Sequence, residues 1–480
     1  MGDELENSYF NFVENVRRWR QDDLLRAVAY LSTQFGEPPL EPNAVSYISP
    51  WGLAAIAKAT ILSGTSHRPN RPITSHDVAK LSSTLGSIAT ISDGEETSKI
   101  LLRLAFEQFP YSTSDFEEWT RSIAIFCEVP KSHPKLSHLE ELGKSAFGVP
   151  VREVVLSCRL LSVVTKKNAG LWHEGFAGSN GFVPFLTELD LGSFETVKTS
   201  LTRTIEAHRL DAIPTELKSV TAKRWSQNPL KRYPLLQFGE TSLLAPVPRM
   251  LDFAASPQGF ADRGFENCGN IFTVELGHLF EAYVGDQLKL LAGAAVSGEQ
   301  EFDYQGSLHM SIDWFVDLPG VTLLVEAKSR RVMPETRSGD GEPSDAYSES
   351  LDKAFKQIAK TKSEILAGNP SLNTIKSGKP LIGVVVTLDN FYLANSQNFV
   401  AVPPNMLVIS IRELESLVLL PTEVVSNYFL EILGDPRLST FDVFNSMELK
   451  DVTLHNPLLI QAAKSLPGFD LYLEGQQQGI

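Results

Sequence analysis

From Glu4 to about Leu217 the apolar residues recur mostly at helical spacing, and the breaks between these stretches read as caps and turns. Ser49-Pro50 opens one helix, with serine as N-cap and proline at the first helical position, and Gly64 follows its last turn. Thr74 with Asp77 three residues later forms a capping-box pattern ahead of Val78 and Leu81. No strand-like alternation stands out, so residues 1–217 read as an all-helical domain, without internal repeats or low-complexity tracts.

The character changes over residues 218–235, where Lys223, Arg224, Lys231 and Arg232 interleave with Trp225, Tyr233 and two prolines. Such a stretch could touch nucleic acid, but a solvated linker anchored by two rings is the commoner arrangement, and it marks a domain boundary. Residues 236–435 then read as a mixed domain. Leu243 to Val247 is a short strand candidate, and Phe272 to Leu291 is a helix with Leu276, Phe280, Leu288 and Leu291 on one stripe. Leu308 to Asp317 and Val321 to Lys328 read as paired strands. A loop rich in Ser, Gly, Pro and Asp runs from Val332 to Ser348, helix resumes from about Glu349 to Ala367, and strands follow at Leu381 to Leu388 and Met406 to Ile411. Helix, three strands, helix, strand is the expected order, with residues 436–480 as a helical or irregular extension.

Composition narrows the functional classes. A chain of 480 residues with 42% hydrophobic and 21% charged side chains has the make-up of a soluble protein of two or three domains. The start, MGDELENSYF, lacks the basic and apolar segments of a signal peptide, Glu6 stands where N-myristoylation expects Ser or Thr, and no apolar run is long enough for a membrane span. Cys127, Cys158 and Cys268 are too few and scattered for a disulfide framework or a thiolate zinc site, so they are expected to act as small hydrophobes in a cytoplasmic protein. The net charge of -15 argues against nonspecific coating of nucleic acid; any such site must be a local patch, or a protein partner or second copy must supply it.

The chemistry concentrates in Ser311 to Arg331, SIDWFVDLPGVTLLVEAKSRR. Asp317-Leu318-Pro319-Gly320 supplies turn residues, giving a hairpin with a loop from Leu318 to Val321. In that register Asp317 pairs with Thr322, and counting outward brings Asp313 opposite Glu326. Two carboxylates on an apolar sheet repel each other and lose hydration, which a divalent cation would relieve. Hard oxygen ligands suit Mg2+ or Mn2+, with the backbone carbonyl of Ala327 as a further ligand. Lys328 shares the face of Glu326, where its ammonium can act on the attacking water or on charge developing at phosphorus.

An Asp, a hairpin and then Glu-x-Lys at a strand end resembles the active-site signature of the PD-(D/E)xK, or restriction-endonuclease-like, nucleases. The family's proline before the aspartate is replaced by Ile312, a variable position there, and the likeness covers about 200 of the 480 residues. The resemblance implies an α+β or α/β chain, a helical N-terminal domain followed by an α-β-β-β-α-β core, with Asp313, Glu326 and Lys328 catalytic. It also implies Glu281 as an outer metal ligand, because the superfamily often carries an acid on the helix before the sheet. Lys353, Lys356, Gln357 and Lys360, on the helix after the sheet, are expected to meet phosphates. Magnesium-dependent cleavage of DNA is the function implied, and by analogy the setting is a bacterial restriction or anti-phage system. The alternatives are a nuclease-like subunit that binds DNA or protein without cutting, and an RNA-cleaving toxin.

Overall fold

The computed structural model describes residues 2–35, 48–87, 97–173, 175, 188–216, 224–330, 343–372, 375, 378–392, 394–396, 401–435 and 456–466. Two helix starts form as their residues dictate. Ser49 Oγ accepts from the Gly52 N–H at 3.1 Å, and the Pro50–Ser63 helix ends at Gly64, whose N–H bonds Thr60 O. The Thr74 N–H donates to Asp77 Oδ2 at 2.9 Å while the Asp77 N–H reaches Thr74 Oγ1 at 3.3 Å, the reciprocal pair of a capping box.

The first half is not all-helical. Strands β1 (Leu171–His173) and β2 (Thr202–Arg203) join β3 (Leu235–Gln237) and β4 (Ser242–Leu244) in a small sheet of order β1-β4-β3-β2. Strands of two or three residues complete no alternation, so periodicity could not reveal them. The basic stretch also differs from expectation where it is described; residues 217–223 lie outside the described residues. Arg224 is only 8% exposed, its guanidinium paired with both carboxylate oxygens of Glu107 at 2.7 and 3.1 Å. Its carbonyl accepts from Lys58 Nζ, so this segment is packed structure and not a solvated linker.

The second half carries a five-stranded sheet. After β5 (Ala295–Gly298), a separate hairpin of β6 (Glu301–Tyr304) and β7 (Ser307–Met310) intervenes before β8 (Trp314–Asp317), β9 (Thr322–Lys328), β10 (Leu381–Thr387) and β11 (Met406–Ser410). The sheet order is β11-β10-β9-β8-β5; β5, β8 and β9 run antiparallel and β9, β10 and β11 parallel. The expected strand from Leu308 to Asp317 is therefore two strands belonging to different sheets. Ser311 makes the break: its N–H bonds Gln300 O and its hydroxyl accepts from Gln300 N–H and donates to Ile312 O, which ties the chain back across the hairpin.

Strand alternation divides the sheet residues between two cores. Val316, Leu323, Val325, Val384 and Ile409 share one apolar cluster with Leu276, Leu279, Phe280 and Tyr283 of the Asn270–Leu288 helix. Phe315, Leu324, Val385 and Val408 share the other with Leu351, Phe355, Ile358 and Ile365 of the Pro343–Leu366 helix. The result is a mixed α+β arrangement with the sheet between helical layers. The expected loop falls mostly at 331–342, outside the described residues, and the helix after it starts earlier than Glu349. Within the C-terminal extension, the Pro457–Lys464 helix is capped by Asn456 and buries Ala462 in the first of these cores. Cys158 is buried, as expected of a small hydrophobe, whereas Cys268 is exposed. Among the described residues no helix is long and apolar enough to cross a membrane.

Candidate active site

The tight turn sets the site's register. The Leu318 N–H bonds Val321 O at 2.9 Å and Asp317 faces Thr322, so the pairing continues through Trp314 with Val325 and leads to Asp313 opposite Glu326. Glu326 and Lys328 alternate with Leu324 on the face toward the Pro343–Leu366 helix. On that face Glu326 is 1% exposed. One of its oxygens, Oε1, accepts from Lys328 Nζ at 2.5 Å; the other, Oε2, is buried and meets no hydrogen-bond donor. Asp313 Oδ2 accepts from the Ala327 N–H at 2.7 Å, which pins this carboxylate beside the Glu-Ala-Lys run.

Burial and mutual repulsion hold these acids well away from their ordinary behaviour. Burial, with Asp313 adding to it, pushes the Glu326 carboxyl up to about 8 against the pull of Lys328. Asp313 is raised as well, by burial, with the Ala327 N–H opposing. Glu281 is raised to about 7 by burial and then by the charges of Asp313 and Glu299, so the acid expected on the preceding helix does share the electrostatic field of the site.

What brings that helix so near is a glycine. The Trp314 indole packs onto Gly285, where a Cβ would lie 2.1 Å from ring carbon Cζ2, and its Nε1 donates to the Glu281 carbonyl at 3.0 Å. Gly285→Ala is therefore expected to push the helix from the sheet, at a cost of about 1–3 kcal/mol in urea unfolding, with a change in Trp314 fluorescence. An unchanged midpoint would show that this packing does not seat the helix.

Glu299 escaped the sequence reading. Gly298 pairs with Trp314, so extending the register sets Glu299 opposite Asp313 on the side away from Glu326. Its carboxyl is raised by burial and by Asp313. The strand before it, Ala-Val-Ser-Gly, gives no apolar alternation that could have placed it.

The expected phosphate-contacting residues divide. Lys353 and Lys356 are exposed on their helix. Gln357 donates its side-chain amide to Ser311 O at 2.7 Å, two residues before Asp313, and so positions the start of β8. Lys360 lies over the Tyr304 ring, 4.0 Å from its centroid, and holds the β6-β7 hairpin against the helix.

Among the described residues no group of three or more His, Cys, Asp or Glu side chains is gathered as a ready-made metal cage. The Lys328 ammonium and the Ala327 N–H each take an oxygen that a cation would use, and Glu326 Oε2 is left as the buried acceptor without a partner. Comparison with protein-family models, with curated proteins and with solved structures finds no match to this chain.

Proposed function

We propose that the chain is a metal-dependent nuclease of the PD-(D/E)xK type acting on DNA. The observation that carries this reading is the buried Glu326, with one oxygen unpartnered, in register with Asp313 and two residues before Lys328 on the same face. A fold does not keep such an acid deep in a sheet without cost, and two neighbouring raised carboxylates sharpen that cost. The order helix, antiparallel strands, helix and parallel strand supports the same reading, because it is the order the resemblance implies.

The donor set fits a hard divalent cation such as Mg2+ or Mn2+: Asp313 and Glu326 would hold it, with the Ala327 carbonyl and Glu281 as further oxygen donors. Such an ion, when bound, supplies Lewis acidity and lowers the pKa of coordinated water. Asp313 and Glu326 must both be ionised for this role, and the repulsion between them keeps that state costly in the free protein. Lys328 carries the ammonium nearest the two acids, placed to orient a water and to meet the charge developing on a phosphate oxygen. Trp314 and Gln357 hold the backbone on either side of Asp313.

Incubation of the purified protein with plasmid, single-stranded DNA and RNA, with and without magnesium, tests the reading. Metal-dependent scission of DNA is the expected result; binding without scission, or scission of RNA alone, would replace it with one of the alternatives.

The helix beyond the sheet offers a second check. Reversing Lys353 and Lys356 to glutamate is expected to flatten the slope of log affinity against log salt by about 1 for each phosphate that the protein no longer neutralises. Lys360→Glu should instead loosen the β6-β7 hairpin, because no ammonium then lies over its rings, and lower thermal stability. Identical salt slopes for wild type and the double variant would remove this helix from the DNA-binding face.

A further inference from the structure

Away from the sheet, a cavity of about 90 Å³ opens between the Pro50–Ser63 helix, the Thr97–Gln108 helix and the segment from Arg224 to Lys231. Its lining carries four basic side chains, Lys58, Arg103, Arg224 and Lys231, and one acidic side chain, Glu107. Three of the basic residues are nearly inaccessible: Lys58 is 6%, Arg103 4% and Arg224 8% exposed. Lys58 Nζ donates to the carbonyls of Arg224 and Ser226 at 3.3 and 2.6 Å, and Arg224 closes a two-pronged pair with Glu107 while its buried Nε meets no acceptor. Burying like charges side by side costs free energy that a single carboxylate does not offset. Burial and the charges of Arg224 and Lys231 accordingly bring the Lys58 ammonium down to about 7, against the pull of Glu107.

The walls are aromatic. Trp51 and Trp225 both line the cavity, and the Trp225 ring is flanked by Arg224 and Arg103 at 4.2 and 5.9 Å from its centroid. Buried guanidinium and ammonium groups match phosphate oxygens, and flat indole faces match a planar ring. Neither feature has a part in the site built around Asp313 and Glu326.

We infer that this cavity is a binding site for a nucleotide, its phosphate held by Lys58, Arg103, Arg224 and Lys231 and its base by the tryptophan walls. The size of the cavity suits a phosphate within it and a base at its mouth. An anion there would meet the charges the fold has gathered and hold Lys58 in its protonated form. The inference is independent of the nuclease reading, because binding is measured without nucleic acid.

Isothermal titration of the full-length protein with ATP, AMP and inorganic pyrophosphate tests it, with melting curves confirming that each variant is folded. Nucleotide binding is expected, tighter than that of pyrophosphate. Removing one charged group by Lys58→Met or Lys231→Gln should weaken it about tenfold. Trp225→Leu should weaken ATP and AMP and leave pyrophosphate unchanged. Lys231 is only half-buried, so its variant keeps the test valid should Lys58→Met fail to fold. Absence of binding by all three ligands overturns the inference, as does nucleotide affinity unchanged in folded Lys231→Gln. Pyrophosphate binding as tightly as ATP would overturn the role of the tryptophan walls.

Discussion

Glu326→Gln is expected to stabilise the metal-free protein at pH 8 and above while abolishing its response to magnesium. The sign follows from the direction of the shift. Burial raises the Glu326 carboxyl from its ordinary 4.5 to about 8, so the folded state holds a proton that the unfolded chain releases. The contribution of this group to stability is complete below about pH 4.5 and is lost as pH rises through about 8. A glutamine keeps the shape of the protonated acid and carries no charge, so the variant should match wild type near pH 4.5 and exceed it by roughly 2 kcal/mol or more at pH 9. Magnesium should reverse the order. A cation that binds the folded wild type raises its melting temperature in proportion to the logarithm of its concentration, whereas the variant lacks an anionic ligand and should stay flat. Urea unfolding across pH 5 to 9, with and without magnesium, reads both effects, and equal magnesium shifts in the two proteins would falsify the shared-ligand assignment.

Lys328→Ala should slow DNA cleavage by roughly 10²- to 10³-fold, the usual loss on removing one group that meets developing charge. The side chain is half-buried and its ammonium sits 2.5 Å from Glu326 Oε1, so its removal also leaves Glu326 without its nearest counter-charge. The apo variant should therefore be less stable than wild type at pH 8, and magnesium should recover more stability in it than in wild type. A structural lysine would show the stability loss with no slowing of cleavage once magnesium saturates, so single-turnover rates at saturating metal separate the two roles.

The register of the site could be read from the chain because it depends on a local turn. Asp317 to Gly320 closes the hairpin, and every pairing outward from Asp317 and Thr322 follows by counting. Glu299 could not be read the same way: the β6-β7 hairpin separates its strand from β8, and Ala295 to Gly298 carries no pattern. The same hairpin explains the Lys/Gln helix. Lys360 and Gln357 share a sequence stripe with the exposed Lys353, but β6-β7 and Ser311 cover their end of it. In the first half, capped helices announced themselves through Ser49 and Thr74, whereas strands of two or three residues left no period. Arg224 looked like part of a solvated basic stretch, and only the distant Glu107 and Lys58 turned it inward.

The central claim is that Asp313, Glu326 and Lys328 form a metal-dependent phosphodiesterase centre, and a time course of plasmid cleavage by wild type and Lys328→Ala, each with magnesium or with a chelator, tests it most directly. The account predicts scission by the wild type with magnesium, none with chelator, and at least a hundredfold slower scission by the variant. Intact plasmid in every wild-type reaction, or equal rates for wild type and Lys328→Ala, would contradict it.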